Sequence, residues 1–278
     1  MANSNSLTLT VLGSAGAYRT HDGSRASGYL VQHGATTVVL DLGHGTYAPF
    51  AARVGISALP QISAVAISHL HPDHWVDLAA LRHALVHGNK MGNDARNVSV
   101  ISPSGLAARL AALLDDRTPE EQAAGAHEAL QPFAFSTWRS DAALPPLGGG
   151  RFVSIGDLTM QSVRVRHTGE SYALRVASGD APGLTYSGDV SHWEDLAAIV
   201  QPGDTLLCEA AGGAAQWREG DTHVTAFGAG KAAAAASVAK LRLTHFCAEA
   251  DPADAVRAAA TECSGEIVAV REGDRFEI

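Results

Sequence analysis

A short buried-strand pattern that runs directly into a group of histidines and carboxylates places the strongest constraint on the fold. Residues 64–68 (AVAIS) are apolar or small, and four ligand-type side chains follow within six positions: His69, His71, Asp73 and His74. Alternate side chains of an extended segment share a face, so His69 and His71 can reach one point together. Pro72 keeps His71 extended and favours a helical turn after it, which directs Asp73 and His74 elsewhere. The stretch therefore predicts two ligands for one metal ion and two for a neighbouring ion.

Histidine together with carboxylate is a ligand set that suits zinc, iron or manganese. A single histidine is more often a hydrogen-bonded core or surface residue, so the metal interpretation depends on partners elsewhere in the chain. Three further strand patterns end in suitable groups, at His167, Asp189 and His245. Together these groups complete two coordination spheres with open positions for water and substrate, which is typical of a catalytic site.

The remaining patterns predict an α/β fold. Residues 28–43 indicate a β-hairpin around His33 and Gly34, and strands followed by helices occur in both halves of the chain. This order predicts two sheets packed face to face with helices outside. The only clear break in composition is the loop 141–150 (DAALPPLGGG), so residues 1–278 are predicted to form a single domain with two merged halves, about 1–140 and 151–278.

The ordered set of ligand-type residues resembles the metallo-β-lactamase superfamily, whose fold is a four-layer αββα sandwich. The chain is more closely similar to the phosphodiesterase branch, which includes ribonuclease Z and bacterial cyclic-nucleotide phosphodiesterases. Further stretches carry that closer resemblance: GSAGA (13–17), SGYLV (27–31), HTGESYALRV (167–176), CEAAGG (208–213) and residues 222–246.

The resemblance implies a role for each of these residues. One metal ion is held by His69, His71 and His167, the other by Asp73, His74 and His245, and Asp189 bridges the two. His223 matches a proton donor, and Glu209 matches the acidic residue that pairs with it. Asp73 is expected to be a catalytic residue as well as a ligand. Asp41 matches a residue that steadies the ligand loop, as is usual around metal sites. The implied cofactors are two divalent ions, with Zn²⁺ favoured and Mn²⁺ or Fe²⁺ also compatible.

The implied activity is hydrolysis of a small cyclic phosphodiester, such as a 3′,5′-cyclic nucleotide, by a hydroxide that bridges the two ions. The long arm with which ribonuclease Z clamps tRNA lies between the third histidine and the bridging aspartate, and the segment between His167 and Asp189 is too short for it. The formal net charge of −9 also disfavours an extended nucleic-acid partner, because phosphate contacts require many Lys and Arg residues.

Several alternatives stay open at this point. The metal motif is compatible with hydrolysis of a lactone, thioester, lactam or other cyclic phosphate, and less readily with 3′ processing of tRNA. A di-iron redox protein is disfavoured because such proteins usually have a carboxylate at the position of His71 and an attached flavin domain. A non-catalytic scaffold is disfavoured because it has no need of a complete ligand set.

Composition also bears on location and surroundings. The three cysteines form no CxxC pair, and neither a signal peptide nor a membrane-spanning run is recognisable, so a cytoplasmic protein without membrane contact is predicted. Oligomeric state is not determined, although homodimers are common in the branch. Trp75 either faces a substrate base or, as we favour, anchors its helix in the core; His44 lies near the predicted site. The sequence does not indicate a role for residues 89–150.

Overall fold

The computed structural model describes residues 6–18, 23–88, 97–123, 130–139, 143–248 and 250–278. In this part of the chain, two seven-stranded sheets dominate. The first sheet has the order β14-β1-β2-β3-β4-β5-β6: β1 Thr8–Gly13, β2 Gly28–His33, β3 Thr36–Leu42, β4 Ala64–Ala66, β5 Val98–Ser102, β6 Phe133–Thr137 and β14 Arg275–Glu277. The second has the order β13-β12-β11-β10-β9-β8-β7: β7 Phe152–Ile155, β8 Leu158–Val165, β9 Ser171–Ala177, β10 Leu184–Tyr186, β11 Thr205–Glu209, β12 Lys240–Thr244 and β13 Glu266–Ala269.

The two sheets repeat the same pairing pattern. In the first, β14, β1, β2 and β3 pair antiparallel and β3 to β6 pair parallel. In the second, β7 to β10 pair antiparallel and β10 to β13 pair parallel. The C-terminal strand β14 pairs with β1, so the end of the chain completes the sheet formed by its beginning.

Strand alternation separates the core into layers. In β2, Tyr29 and Val31 join the cluster between the two sheets, whereas Leu30 joins the cluster on the outer face of the first sheet. In β9, Leu174 faces the inter-sheet cluster and Ala173 the outer cluster of the second sheet. This alternation follows from the two-residue period of a strand, and it gives each sheet two apolar faces that must be covered.

Helices cover both outer faces. The helices are α1 Tyr47–Val54, α2 Leu78–His83, α3 Leu106–Leu114, α4 Pro119–Ala123, α5 Ala226–Ala236 and α6 Pro252–Ala259. Residues of α1, α2 and α3, including Phe50, Leu81 and Leu110, pack on the first sheet, and α5 and α6 pack on the second. The predicted α/β fold with two face-to-face sheets and outer helices is therefore confirmed.

Local elements largely follow the predictions. The hairpin around His33 and Gly34 is present as β2 and β3. The helix predicted after Pro72 is divided: Pro72–His74 is a single 3₁₀ turn, and α2 begins at Leu78, because Trp75 has a φ of −148° that breaks the helical path.

The segment 89–150 contributes β5, α3, α4 and β6, while residues 89–96, 124–129 and 140–142 within it lie outside the described residues. No described helix is long and apolar enough to cross a bilayer. The parallel strands matter most for the site. Their carboxyl ends meet at a common edge of each sheet, where open α/β sheets place their ligands.

Candidate metal centre

The seven residues predicted as ligands come from the ends of four strands. The loop 67–74 follows β4, and His167, Asp189 and His245 follow β8, β10 and β12. The structure gathers them into two groups whose ligand atoms lie within 4.8 Å of one another. The first group is His69, His71, His167 and Asp189, and the second is Asp73, His74 and His245.

Within the first group, His71 Nδ1 lies 3.3 Å from His167 Nε2. Asp189 Oδ2 lies 3.5 Å from His69 Nε2 and 3.6 Å from His167 Nε2. His71 thus presents Nδ1 to the centre, whereas His69 and His167 present Nε2.

Within the second group, His74 Nε2 lies 3.3 Å from His245 Nε2 and 3.5 Å from Asp73 Oδ2. The Asp189 carboxylate reaches this group as well, with Oδ2 at 3.4 Å from His74 Nε2 and Oδ1 at 3.5 Å from His245 Nε2. Asp189 is therefore placed between the two groups, as a bridging ligand would be.

These separations test whether the residues fit metal ions. Two atoms that bind one tetrahedral ion at about 2.0–2.2 Å lie about 3.3–3.6 Å from each other. The distances in both groups, from 3.3 to 3.6 Å, match that spacing. Two buried atoms, His69 Nε2 and Asp189 Oδ1, also have no hydrogen-bond partner among the described residues. Because unpaired buried polar atoms are costly, both observations fit divalent cations in this place.

A buried carboxylate, Asp41 at the end of β3, organises the ligand loop. Its Oδ1 accepts from Ser68 N at 2.7 Å, and its Oδ2 accepts from Ser68 Oγ at 2.7 Å and from Tyr186 Oη at 2.8 Å. His74 Nδ1 donates to the same Oδ2 at 2.7 Å, which leaves Nε2 as the lone-pair nitrogen that faces the centre. This contact is the one expected for Asp41.

Three of the other four imidazoles, those of His69, His167 and His71, are each oriented by a different acceptor. His69 Nδ1 lies 3.1 Å from Ser68 Oγ, which gives its own proton to Asp41. His167 Nδ1 donates to the carbonyl oxygen of Thr222 at 2.7 Å. His71 is reversed, and its Nε2 lies 3.2 Å from Thr168 Oγ1. Thr168 and the Thr222 carbonyl were not anticipated from the sequence, because neither has a signal of its own.

Close packing and strain accompany the ligand loop. A Cβ on Gly43 would lie 1.8 Å from the carbonyl oxygen of Asp73, so only glycine lets β3 pass beneath the loop. Asp41 and His245 have positive φ values of 55° and 56°, a conformation that costs free energy for residues other than glycine and recurs at functional sites. The turn GSAGA lies beside the last ligand, where Gly16 N donates to Phe246 O at 2.9 Å.

The carboxylates and imidazoles of the centre lie close together and shift one another's pKa values. Burial opposes ionisation of Asp189 and Asp73, but the surrounding histidines outweigh it and hold both carboxyl pKa values below their usual range. Burial lowers the pKa of His69 well below its ordinary value, helped by the neighbouring His74. For His74 burial acts the same way, yet Asp189 and Asp41 outweigh it and raise the pKa. The lowered pKa values of Asp189 and Asp73 favour their ionised form, which is the form that binds cations.

His223 and Glu209 form a separate pair beside both groups. His223 Nδ1 lies 3.0 Å from each oxygen of Glu209, and the Glu209 carboxylate is fully buried and accepts from Val190 N at 2.8 Å. Burial alone would lower the pKa of His223, but Glu209 raises it to about 9. The His223 ring lies 4.8 Å from that of His167.

His223 also lies within ligand distance of Asp189 and His245. Its Nδ1 donates to Glu209, which argues against that nitrogen as a metal ligand.

Two clefts open beside the centre. A cavity of about 630 Å³ includes His223, Thr222 and Gly212 in its wall, and a second, of about 390 Å³, includes His71 and Thr168. Trp75 lines neither: it is buried against the first sheet and donates to Leu70 O, so the core-anchor interpretation is the correct one. The side chain of His44 is exposed.

Comparison with known proteins agrees with this geometry. A family model described as a β-lactamase superfamily domain matches residues 36–246. Uncharacterized protein ML1173 of Mycobacterium leprae is 31% identical over 288 residues, which cover 97% of this chain and 88% of that protein.

Two crystal structures share the fold. The metallo-β-lactamase fold protein YhfI of Bacillus subtilis has a TM-score of 0.81 at 21% identity and covers 98% of this chain and 100% of its own. The short form of human tRNase Z has a TM-score of 0.70 at 19% identity. The match covers 98% of this chain and 99% of the tRNase Z chain. The chain therefore belongs to the metallo-β-lactamase superfamily, whose fold is that of metal-dependent hydrolases.

Proposed function

We propose that the protein is a binuclear metal-dependent phosphodiesterase that hydrolyses a small cyclic phosphodiester, such as a 3′,5′-cyclic nucleotide. The observation that carries the proposal is the His223–Glu209 pair, held at 3.0 Å beside both ligand groups and open to the 630 Å³ cavity. A cavity of this size accommodates a small ligand.

The residues divide into holding and proton-transfer roles. One ion would be held by Asp73, His74 and His245. The other would be held by His69, His71 and His167, and Asp189 would bind both. Zinc suits these donors, and when bound the ions supply charge neutralisation and water activation.

His223 is placed to give a proton to the departing oxygen. Its Nδ1–H is committed to Glu209, so Nε2 is the atom available to the substrate. A phosphodiester must expel an alkoxide, which is much more basic than the thiolate that leaves a thioester. A proton donor beside the metal centre therefore assists expulsion of an alkoxide much more than that of a thiolate, typically by ~10²–10⁴-fold. The similarity to tRNase Z supports phosphodiester chemistry, and the cavity volume of about 630 Å³ supports a smaller substrate than tRNA.

The proposal is tested by metal analysis together with a substrate panel. Purified protein is expected to contain two zinc ions per chain and to hydrolyse cyclic nucleotides and bis(p-nitrophenyl) phosphate with a higher kcat/KM than a lactone, a thioester or a lactam. Chelation should abolish turnover, and readdition of zinc, manganese or iron should show which ion restores it. Full activity after exhaustive chelation, or faster cleavage of a tRNA precursor than of any cyclic nucleotide, would contradict the proposal.

Cytoplasmic location remains a prediction beside this one, as does exclusion of nucleic acid, and a homodimer is possible because homodimers are common in the branch. Sedimentation of the purified protein and a gel-shift titration with tRNA address the last two.

A further inference from the structure

We propose that Arg109 and Thr168 form an oxyanion subsite on the His71 side of the metal centre. It binds the non-bridging phosphoryl oxygens, while the ester oxygen whose bond to phosphorus breaks lies on the His223 side. The inference rests on the proposed phosphodiesterase function, because it assigns an orientation to that substrate.

The subsite is the cleft of about 390 Å³ that shares a wall with the metal centre. Its lining includes the predicted ligand His71 together with Ser104, Arg109, Thr168 and Glu170. A group bound here would therefore lie directly beside the first ligand group, on the side away from His223.

Thr168 supplies a hydroxyl that can donate a hydrogen bond to a bound ligand. Its Oγ1 lies 3.2 Å from His71 Nε2, and since His71 presents Nδ1 to the centre, Nε2 carries the proton and the hydroxyl accepts it. A hydroxyl that accepts one hydrogen bond still has its own O–H to donate. The backbone is held in place because the Thr168 carbonyl accepts from Ser171 Oγ at 2.7 Å. Thr168 is exposed, so a phosphoryl oxygen can reach its O–H.

Arg109 supplies the positive charge. It projects from α3, and its Nη1 donates to the carbonyl oxygen of Leu70 at 3.0 Å, in the loop between His69 and His71. This bond ties the guanidinium to the ligand loop and uses one of its five N–H donors. A guanidinium binds phosphate oxygens bidentately, which a hydroxyl or an amide cannot do.

The charge of this cleft differs from that of the larger cavity. Glu170 is neutralised by Arg139, whose Nη2 lies 2.7 Å from its Oε2, so the charge of Arg109 is not cancelled by it. The cavity beside His223 is instead lined by Asp221, Asp251, Asp254 and Arg218, and because Asp254 is paired with Arg257, two aspartates face one arginine there. In a protein of net charge −9, a dianionic phosphoryl group is favoured on the arginine side, and an alcohol rich in hydrogen-bond donors on the other.

Binding of inorganic phosphate to zinc-loaded protein, measured by isothermal titration calorimetry, tests the subsite. Arg109→Ala should weaken phosphate binding by about tenfold or more at unchanged zinc content, and Arg109→Lys should weaken it less. Arg82→Ala is the matched control, because Arg82 also donates to a backbone carbonyl, that of Gln131 at 3.3 Å, but lies outside the cleft.

Thr168 is tested by two further variants. Thr168→Val should weaken phosphate binding and also lower zinc affinity, because His71 loses the acceptor that orients it, whereas Thr168→Ser should restore both. With bis(p-nitrophenyl) phosphate, Arg109→Ala should raise KM more than it lowers kcat.

The results separate the subsite from the proposed activity. Phosphate binding that is absent in the parent protein, unchanged in Arg109→Ala, or equally reduced in Arg82→Ala would overturn the subsite. If binding depends on Arg109 but no phosphodiester is hydrolysed, the subsite stands and the proposed function fails.

Discussion

The two ligand groups of the centre differ in how their imidazoles are held. Asp73, His74 and His245 are all buried, and His74 is oriented by the fully buried Asp41. In the other group His71 is only partly buried, and the partners that orient His71 and His167 are an exposed hydroxyl and a loop carbonyl.

The difference separates a structural side from an accessible side. The buried group is continuous with the core, so its geometry is set by the packing of the sheets. His71 of the other group lines the 390 Å³ cleft, where substrate can arrive. We therefore expect changes on the buried side to affect metal binding and stability together, and changes on the open side to affect metal or substrate binding with little loss of stability.

The largest effect is expected from the residue that both groups share. Asp189→Ala removes the carboxylate that lies 3.4–3.6 Å from ligand atoms on both sides. Elemental analysis should find fewer than two ions per chain, and turnover should fall to background. A variant that retains both ions would show that the groups are independent.

The next largest effect is expected at His223, which we assign to neither group. His223→Ala should keep both ions, and its kcat should be lower by ~10²–10⁴-fold. His192→Ala is the control, because His192 is hydrogen-bonded to Ser191 at 2.8 Å and belongs to neither ligand group. Loss of an ion from His223→Ala would mean that His223 is a ligand, in the arrangement with Asp189 and His245.

A smaller effect is expected from Asp41→Asn, which changes the acceptor that orients His74 and, through Ser68, His69. The amide cannot accept all four hydrogen bonds that the carboxylate accepts, so His74 is no longer held and metal affinity should fall about 10–100-fold. Asp204→Asn is the control, since Asp204 is also fully buried but pairs with Arg175. Both variants should unfold at lower urea concentration, and only Asp41→Asn should bind zinc more weakly in a chelator competition.

The smallest effect is expected from Gly43→Ala, through packing alone. Its Cβ would meet the Asp73 carbonyl oxygen at 1.8 Å, so the loop must shift at a cost of about 1–3 kcal/mol in the free energy of unfolding. Gly88→Ala is the control, because among the described residues its Cβ would contact only Ile56 Cγ2, at 3.4 Å. Equal urea midpoints for the two variants would contradict the close approach.

Much of the fold could be predicted because the signals are local. Period-two alternation around His33 and Gly34 predicted the hairpin, and strands followed by helices predicted the layers. The turn after Pro72 was less well predicted, because the break at Trp75 comes from docking of that side chain in the core.

Only some of the residues that build the metal centre could be predicted from the sequence. His69, His71, Asp73 and His74 stand together in the chain, so their spacing alone indicates a metal site. Thr168 and Gly43 were missed as contributors, because a threonine or glycine has meaning here only through a contact with a residue from another strand.

The sequence by itself determined the chemical types of the ligands and the strand ends that carry them, because side-chain period and proline geometry act over a few residues. Only the tertiary structure decided which nitrogen each histidine presents and which cleft carries positive charge. Those properties depend on hydrogen bonds between distant residues, such as His74 with Asp41 and His71 with Thr168, and such bonds form only when the two sheets pack together.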